Sequence, residues 1–65
     1  MGKLLKLSEA AQAMNVPENT LRYWIAQGTG PASFKLGRRR MFREEDVAAY
    51  VDAQIAKDAA EKASA

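Results

Sequence analysis

Residues 17–43, PENTLRYWIAQGTGPASFKLGRRRMFR, contain the patterns from which most of the fold can be predicted. Pro17 suits the first turn of a helix, because its missing N–H has no hydrogen-bond partner there in any case. The large apolar residues then repeat at spacings of three and four: Leu21, Trp24 and Ile25. This spacing predicts a helix over residues 17–27 with one apolar face. Gly28 is expected to end the helix, since glycine readily adopts the positive φ of a helix terminus.

The second half of this stretch predicts a small β-hairpin. Residues 28–33 are rich in glycine, proline and serine and form a loop, and residues 34–36 and 41–42 are two short strand-like pieces. Gly37 permits a tight turn between them, and three arginines follow it. Two strands alone are marginally stable in water, so the hairpin must pack on the helices.

On the N-terminal side, a shorter helix precedes a tight turn. Residues 4–7 form a short apolar lead-in. Ser8 is a good N-cap and Glu9 complements the helix dipole, which predicts a helix over residues 9–14. Asn15 tolerates the left-handed conformation that ends helices. The two predicted helices and the turn between them form a helix-turn-helix.

On the C-terminal side, a third helix begins at residues 44–46, where three acidic residues suit the first turn. Its apolar residues keep helical spacing: Val47, Tyr50, Val51 and Ile55. From about residue 56 nothing large remains to bury, so we expect residues 56–65 to be a fraying helix end and a flexible tail. The predicted fold is mainly α with a small two-stranded β-hairpin, a winged helix-turn-helix domain over residues 1–55.

Charge is distributed unevenly along the 65 residues, although the formal net charge is only +2. Residues 19–43 hold six lysines and arginines and no acidic residue, whereas residues 44–65 hold six acidic residues and two lysines. A localised basic block is the electrostatic footprint of a polyanionic partner. The alternative, for such a cluster taken by itself, is an ordinary solvated surface.

The composition excludes several classes of site. The chain has no cysteine and no histidine, which removes disulfides, zinc fingers, thiol nucleophiles and imidazole bases. The three acids at residues 44–46 lie in one helical turn, so we favour a helix-start role over catalysis. We therefore predict no enzymatic activity, no metal and no cofactor. No apolar run approaches the roughly 20 residues of a membrane span, and the lack of cysteine fits a reducing cytoplasm.

The polar face of the second predicted helix carries the candidate base readers. In helix-turn-helix proteins this helix enters the major groove with its N-terminal end first. There Asn can pair with adenine, Arg with guanine, and Thr can touch a thymine methyl group, while Tyr and Arg also bind phosphates. The candidates are Glu18, Asn19, Thr20, Arg22 and Tyr23. The alternative is an amphipathic helix with a solvated polar face. Trp24, beside Ile25, is expected to pack in the core.

The arginines at the tip of the hairpin are the sharper signal. Arginine is favoured for binding phosphates and for entering narrow minor grooves. We predict DNA contacts by Arg38 and Arg39, with Lys35 beside them, whereas Arg40 has either a contacting or a structural role. The alternative is that these arginines serve only solubility.

Taken together, these segments resemble a known family. The stretches that carry the resemblance are residues 7–11, 15–16, 20–25, 28–31, 35–39, 42–47 and 49–51. Their order and spacing, over about residues 5–52, resemble the excisionase and AlpA-like branch of the MerR-type winged helix-turn-helix superfamily. A chain of this size resembles the excisionases, or recombination directionality factors, of temperate phages such as mycobacteriophages. Pro17 departs from the family pattern, in which Ser or Thr often caps the second helix.

This resemblance implies a DNA-binding accessory factor that performs no bond chemistry. Such proteins bind several adjacent sites in a phage attachment region, bend the DNA and assist a separate integrase, so that excision is favoured over integration. The resemblance assigns helix contacts to Thr20, Arg22 and Tyr23, and wing contacts to Arg38 and Arg39. The expected partners are double-stranded DNA, an integrase and further copies that associate cooperatively on DNA, in the cytoplasm of a bacterial host.

Two alternatives stay open at this point. One is a small AlpA-type transcription regulator of phage or plasmid genes, which would bind one promoter site instead of tandem sites. The other is a protein-interaction module whose basic face binds an acidic partner. The salt dependence of DNA binding separates this last class from the first two, because each neutralised phosphate adds about −0.9 to the slope of log K against log salt concentration.

Overall fold

The computed structural model describes residues 2–63, which form three helices and a three-stranded antiparallel sheet. In chain order the elements are β1 (Leu4–Lys6), α1 (Leu7–Met14), α2 (Glu18–Ala26), β2 (Phe34–Leu36), β3 (Arg39–Arg43) and α3 (Glu44–Ala63). The arrangement is a mainly helical winged helix-turn-helix, which confirms the predicted fold class.

The sheet has one strand more than the sequence predicts. β3 lies in the middle, pairing with β2 in the hairpin and with β1 on its other side. The predicted two-stranded hairpin is present as β2 and β3. Most of the apolar lead-in is an additional strand that the sequence did not reveal, because the partner of β1 lies far along the chain. Leu5 pairs with Phe42, and both side chains are buried on the inner face of the sheet. This pairing fastens the otherwise marginal hairpin to the core.

α1 begins at Leu7, earlier than the predicted residue 9, and Ser8 is not its N-cap. The backbone N–H of Lys6, the last residue of β1, donates to Oε1 of Glu9 at 2.8 Å. The glutamate side chain thus satisfies the backbone at the start of the helix, which is half of a capping box. Because β1 pairs with β3 as far as Lys6, the helix starts directly where the strand ends.

α1 and α2 end in the same way, with a left-handed residue followed by a hydrogen bond back to the last turn. Asn15 has a φ of 58°, and the N–H of Val16 donates to a carbonyl of α1 at 3.0 Å. Gly28 has a φ of 80°, and the N–H of Thr29 donates to the carbonyl of Trp24 at 2.8 Å. Both are Schellman-type ends, so Asn15 and Gly28 terminate the two helices as predicted.

The core lies between the inner face of the sheet and the helices. Its buried side chains are Leu5, Ala10, Ala11, Leu21, Phe42 and Val47. Partly buried residues pack around it: Leu7, Met14, Val16, Trp24 and Ile25. Trp24 therefore packs on the core as predicted, and its ring centroid lies 6.3 Å from that of Tyr50. This contact ties α2 to α3.

α3 has two unlike halves. Val47 is buried and Tyr50 and Val51 are half-buried, whereas every residue from 52 to 63 is exposed. Ile55, whose spacing predicted a place on the apolar face, is 62% exposed. The helix has passed the edge of the core by this point, so correct spacing alone does not bury the side chain.

α3 also continues as a helix to Ala63, well beyond the predicted end of the domain. The flexible tail predicted for residues 56–65 stays a prediction, and its last two residues, Ser64 and Ala65, lie outside the described part of the chain. No helix within residues 2–63 combines the length and the apolar character needed to cross a membrane.

Candidate nucleic-acid interface

α2, which carries the predicted base readers, is anchored on one side and exposed on the other. Pro17 is its N-cap, so the helix begins at Glu18 and matches the predicted range 17–27 to within one residue at each end. Leu21 is fully buried and fixes the helix against the core, while Thr20 is half-buried. The exposed candidates are Glu18, Asn19, Arg22 and Tyr23.

β2 and β3 form a hairpin, the wing, joined by the two-residue turn Gly37 and Arg38. Gly37 has a φ of 66°, and a positive φ at only the first turn residue is typical of a type II′ hairpin turn. Leu36 and Arg39 face each other as the last pair of the ladder. The predicted wing contacts differ in exposure, since Arg40 is half-buried and the exposed ones are Lys35, Arg38 and Arg39.

Arg40 has a partner inside the domain. Its Nη1 lies 3.4 Å from Oγ of Ser33, at the long end of the hydrogen-bond range. Along β3 it shares a face with the buried Phe42, because side chains two residues apart on a strand point the same way. Arg40 thus links β3 to the loop that precedes β2, and it also borders the groove described next, so both the contacting and the structural role stay open.

A basic groove runs between α2 and the wing. It has a volume of about 340 Å³, and its lining residues are Lys6, Leu7, Ser8, Glu18, Arg22, Arg39 and Arg40. Four of these side chains are cationic and one is acidic, so the groove attracts a polyanion. Among residues 2–63, neither Arg22 nor Arg39 takes part in an ion pair. Their guanidinium groups are therefore available to phosphates or to base edges.

The basic groove brings together predicted residues that are distant in the sequence. Arg22 and Glu18 of α2 meet Arg39 and Arg40 of β3. The remaining candidates lie outside its lining, on α2 and around the tip of the wing: Asn19, Thr20, Tyr23, Lys35 and Arg38. Their contacts with DNA stay predictions, as do those of the groove residues.

Lys6 is a groove residue that the sequence did not reveal. It is the last residue of β1 and pairs with Met41 of β3. Met41 and Arg39 lie on the same face of β3, so the pairing places Lys6 diagonally across the ladder from Arg39, within reach of a long side chain. The only sequence signal was a lysine in an apolar lead-in, which gives no indication of the strand it pairs with.

Arg43, the last cation of the basic block, is held within the protein. Its Nε donates to Oδ2 of Asp46 at 2.7 Å and its Nη2 donates to Oδ1 at 3.1 Å, while Oε1 of Glu45 lies 3.7 Å from Nη1. The hydrogen bond to Asp46, then the charges of Asp46 and Glu45, raise the pKa of Arg43 above its usual value. This two-pronged contact joins the end of β3 to the first turn of α3.

A second and larger groove lies between α1 and α3, with the opposite electrostatic character. It has a volume of about 550 Å³, and its apolar lining includes Leu5, Val47 and Val51. Its charged lining residues are Lys3, Glu9, Glu44 and Asp52. Three carboxylates against one ammonium group make this acidic groove repel a polyanion. Within residues 2–63, no three acidic side chains are grouped so that they could hold a metal ion.

A family model described as a helix-turn-helix domain matches residues 4–55 of the chain. The matched range runs from the start of β1 into the exposed half of α3, and it includes every residue of the basic groove. Comparison with curated proteins and with solved structures gives no match.

Proposed function

The chain belongs to the helix-turn-helix domain family and binds double-stranded DNA, and we propose that it does so as an excisionase, a DNA-bending accessory factor that directs a phage integrase toward excision. The family is typically non-enzymatic. In this proposal the protein makes and breaks no covalent bond, and the integrase performs the recombination chemistry.

The observation that carries the proposed mode of binding is the convergence of Arg22 with Arg39 and Arg40 on the basic groove. A duplex presents two parallel rows of phosphates with a groove between them. A protein that offers cations from a helix and from a neighbouring hairpin can therefore place α2 in the major groove and the wing on the next minor groove or its backbone. In this orientation the N-terminal half of α2 faces the bases.

Each exposed residue of α2 then has a chemical role. Arg22 matches the acceptor pair of guanine, and Asn19 matches the donor and acceptor of adenine. Tyr23, which is 62% exposed, can donate its hydroxyl group to a phosphate. Thr20 is half-buried, so its methyl and hydroxyl groups meet DNA only where the backbone of α2 approaches closely.

The recombination role is supported by the resemblance of about residues 5–52 to excisionases, and the matched family includes excisionase- and AlpA-like proteins. One small module covers roughly 600–1,000 Å² on DNA, which gives limited specificity by itself. We therefore expect several copies to occupy repeated sites cooperatively. The acidic groove shares no residue with the basic groove, so it stays open to a neighbouring copy or to the integrase.

A second candidate function is transcription regulation of the AlpA type, because AlpA-like proteins share this domain family. The same DNA-binding surface serves both functions. They differ in how the sites are arranged on DNA, and this difference is open to direct measurement.

The test is a footprint of the protein on DNA that flanks its own gene, including the nearest integrase gene and attachment core, over a range of protein concentrations. An excisionase should protect several phased sites in the attachment region and shorten the distance between the ends of a duplex that carries them. Protection of one promoter site alone would favour the transcription regulator. If no DNA is protected even at low salt, the proposed binding mode is wrong.

A further inference from the structure

The tip of the wing carries an exposed leucine. Leu36 is the last residue of β2, adjoins the turn at Gly37, and is 55% exposed. It belongs neither to the buried core nor to the partly buried residues packed around it. Single exposed leucines are common on protein surfaces, so its meaning depends on what surrounds it.

The position of Leu36 in the ladder links it to Arg39, an arginine of the basic groove. Leu36 pairs with Arg39, and directly opposed side chains on an antiparallel pair lie on one face, with Cβ atoms roughly 5 Å apart. The preceding pair on this face is Phe34 and Met41, both half-buried. Phe34, Met41 and Leu36 thus form an apolar strip on this face, and Leu36 is its outer end at the tip of the wing. Any surface that Arg39 contacts through this face also lies close to Leu36.

The charges around this leucine indicate the chemistry of its partner. Two exposed cations flank Leu36 at the tip: Arg39, its partner on the same face of the ladder, and Arg38 in the turn. Lys35 is also exposed but lies on the opposite face, where it pairs with Arg40. An apolar side chain flanked by cations fits a surface that has anionic edges and a less polar floor. The minor groove of a duplex has this form, since phosphates line its edges and stacked bases form its floor.

We propose that Leu36 enters the minor groove as a wedge and partly unstacks one base step, while Arg38 and Arg39 hold the flanking phosphates. Apolar wedges of this kind kink a duplex, and pyrimidine–purine steps unstack most easily. Leu36 is then the residue that couples docking of the wing to bending of the DNA. The inference rests on the proposed docking of α2 and the wing and adds a contact residue to it.

The experiment compares Leu36→Ala with wild-type protein on a short duplex that the wild-type protein selects from a randomised pool. Affinity is measured over a salt series, bending by energy transfer between dyes on the two ends, and unstacking by the fluorescence of 2-aminopurine placed at successive steps. Leu36→Met keeps an apolar side chain at the tip. Leu4→Ala is the matched control, since Leu4 is 39% exposed on the same outer face of the sheet but away from the tip.

Leu36→Ala should bind about tenfold more weakly, because several carbon atoms lose an apolar contact. Its duplex should be straighter and its 2-aminopurine signal lower, while the salt slope is unchanged because no charge is removed. Leu36→Met and Leu4→Ala should behave like the wild type, and circular dichroism should show every variant folded.

Three results would overturn the proposal. If Leu36→Ala binds and bends like the wild type while Arg39→Ala loses affinity and salt slope, the wing docks but carries no wedge. If Leu36→Ala keeps the bend of a single site and loses only the occupancy of adjacent sites, the leucine contacts a neighbouring copy. If Arg39→Ala also behaves like the wild type, the proposed docking fails and the wedge fails with it.

Discussion

The basic groove and the acidic groove are built by the same short N-terminal segment. Lys6 lines the basic groove, while Lys3 and Leu5 line the acidic one. Side chains alternate along an extended chain, so neighbouring residues of β1 are sent to opposite sides. The acidic groove is the larger of the two, at about 550 Å³ against about 340 Å³. A polyanionic ligand should nevertheless prefer the smaller, basic groove, because the sign of the lining charge matters more to it than the volume of the groove.

The comparison also shows how a small domain separates two surfaces. α1 lies between the grooves, giving its first residues to the basic one and Glu9 and Gln12 to the acidic one. Its two central alanines, Ala10 and Ala11, are buried. Because their side chains are small, the helix lies close to the core, and the basic and acidic grooves are separated by little more than this one helix. Changes to the shared core should therefore abolish both grooves, and changes to their linings should affect one only.

The largest expected effect comes from Phe42→Ala, which breaks the core beneath both grooves. Phe42 is fully buried, and truncation of such an aromatic costs about 3–5 kcal/mol. A domain of this size rarely has more than about 3–5 kcal/mol of stability from its core, so the variant should be largely unfolded in a thermal melt followed by circular dichroism. Phe42→Leu should lose less stability, because leucine still fills part of the buried site. A Phe42→Ala variant that melts like the wild type would contradict the assigned core.

The next effect is on DNA affinity alone and comes from Arg22→Ala. Loss of a base-reading arginine should cost about 1–3 kcal/mol, or about five- to 150-fold in affinity, and should relax specificity at one position of the site. Lys57→Ala is the matched control, because it removes a cation from the exposed half of α3. Equal losses in the two variants, measured by fluorescence anisotropy, would show that only net charge matters and would contradict the docking of α2.

A smaller effect should separate the two grooves directly, through the pair Lys6→Ala and Lys3→Ala. Both remove one exposed lysine from the same segment. Lys6→Ala should make the salt slope less steep by about 0.9, as expected when one phosphate contact is lost, whereas Lys3→Ala should leave the slope unchanged. If Lys3→Ala has the larger effect, the DNA lies on the acidic side and the assignment of the grooves is reversed.

The smallest effect should come from Asp46→Asn, which weakens the contact between Arg43 and the first turn of α3. The contact is partly exposed to solvent, and such pairs stabilise proteins only slightly. We expect a small decrease in melting temperature and no change in DNA affinity, because Arg43 is absent from the basic groove. A clear loss of affinity with an unchanged melting temperature would assign Arg43 to the DNA-binding surface.

The features that the sequence predicted correctly depend on local interactions. The spacing of Leu21, Trp24 and Ile25 indicated the buried side of α2, and Asn15 and Gly28 marked the helix ends. Each of these signals acts within one or two turns of the chain, through backbone sterics and helical periodicity. The hairpin with Gly37 at its turn was predicted for the same reason.

The features that were missed depend on contacts between distant segments. β1 is only three residues long, too short for its own pattern to define a strand, and its partner β3 lies on the far side of two helices in the chain. α1 begins directly where β1 ends, so the sequence analysis, which did not identify β1, also placed the start of α1 too late. Ile55 had the correct spacing but lies where α3 has left the core, and no local pattern shows where the neighbouring elements end.

Local sequence patterns were sufficient to predict the order of the helices, the hairpin with its arginine tip, the basic block and the absence of cysteine and histidine chemistry. These follow from periodicity, turn propensity and composition, which are properties of neighbouring residues. Which cations share a surface depends instead on how distant segments pack together. The pairing of β1 with β3 brings Lys6 to Arg39, and the packing of α2 adds Arg22. Burial of Leu5 and Phe42 fixes the strand register, and the register then fixes where each charge lies.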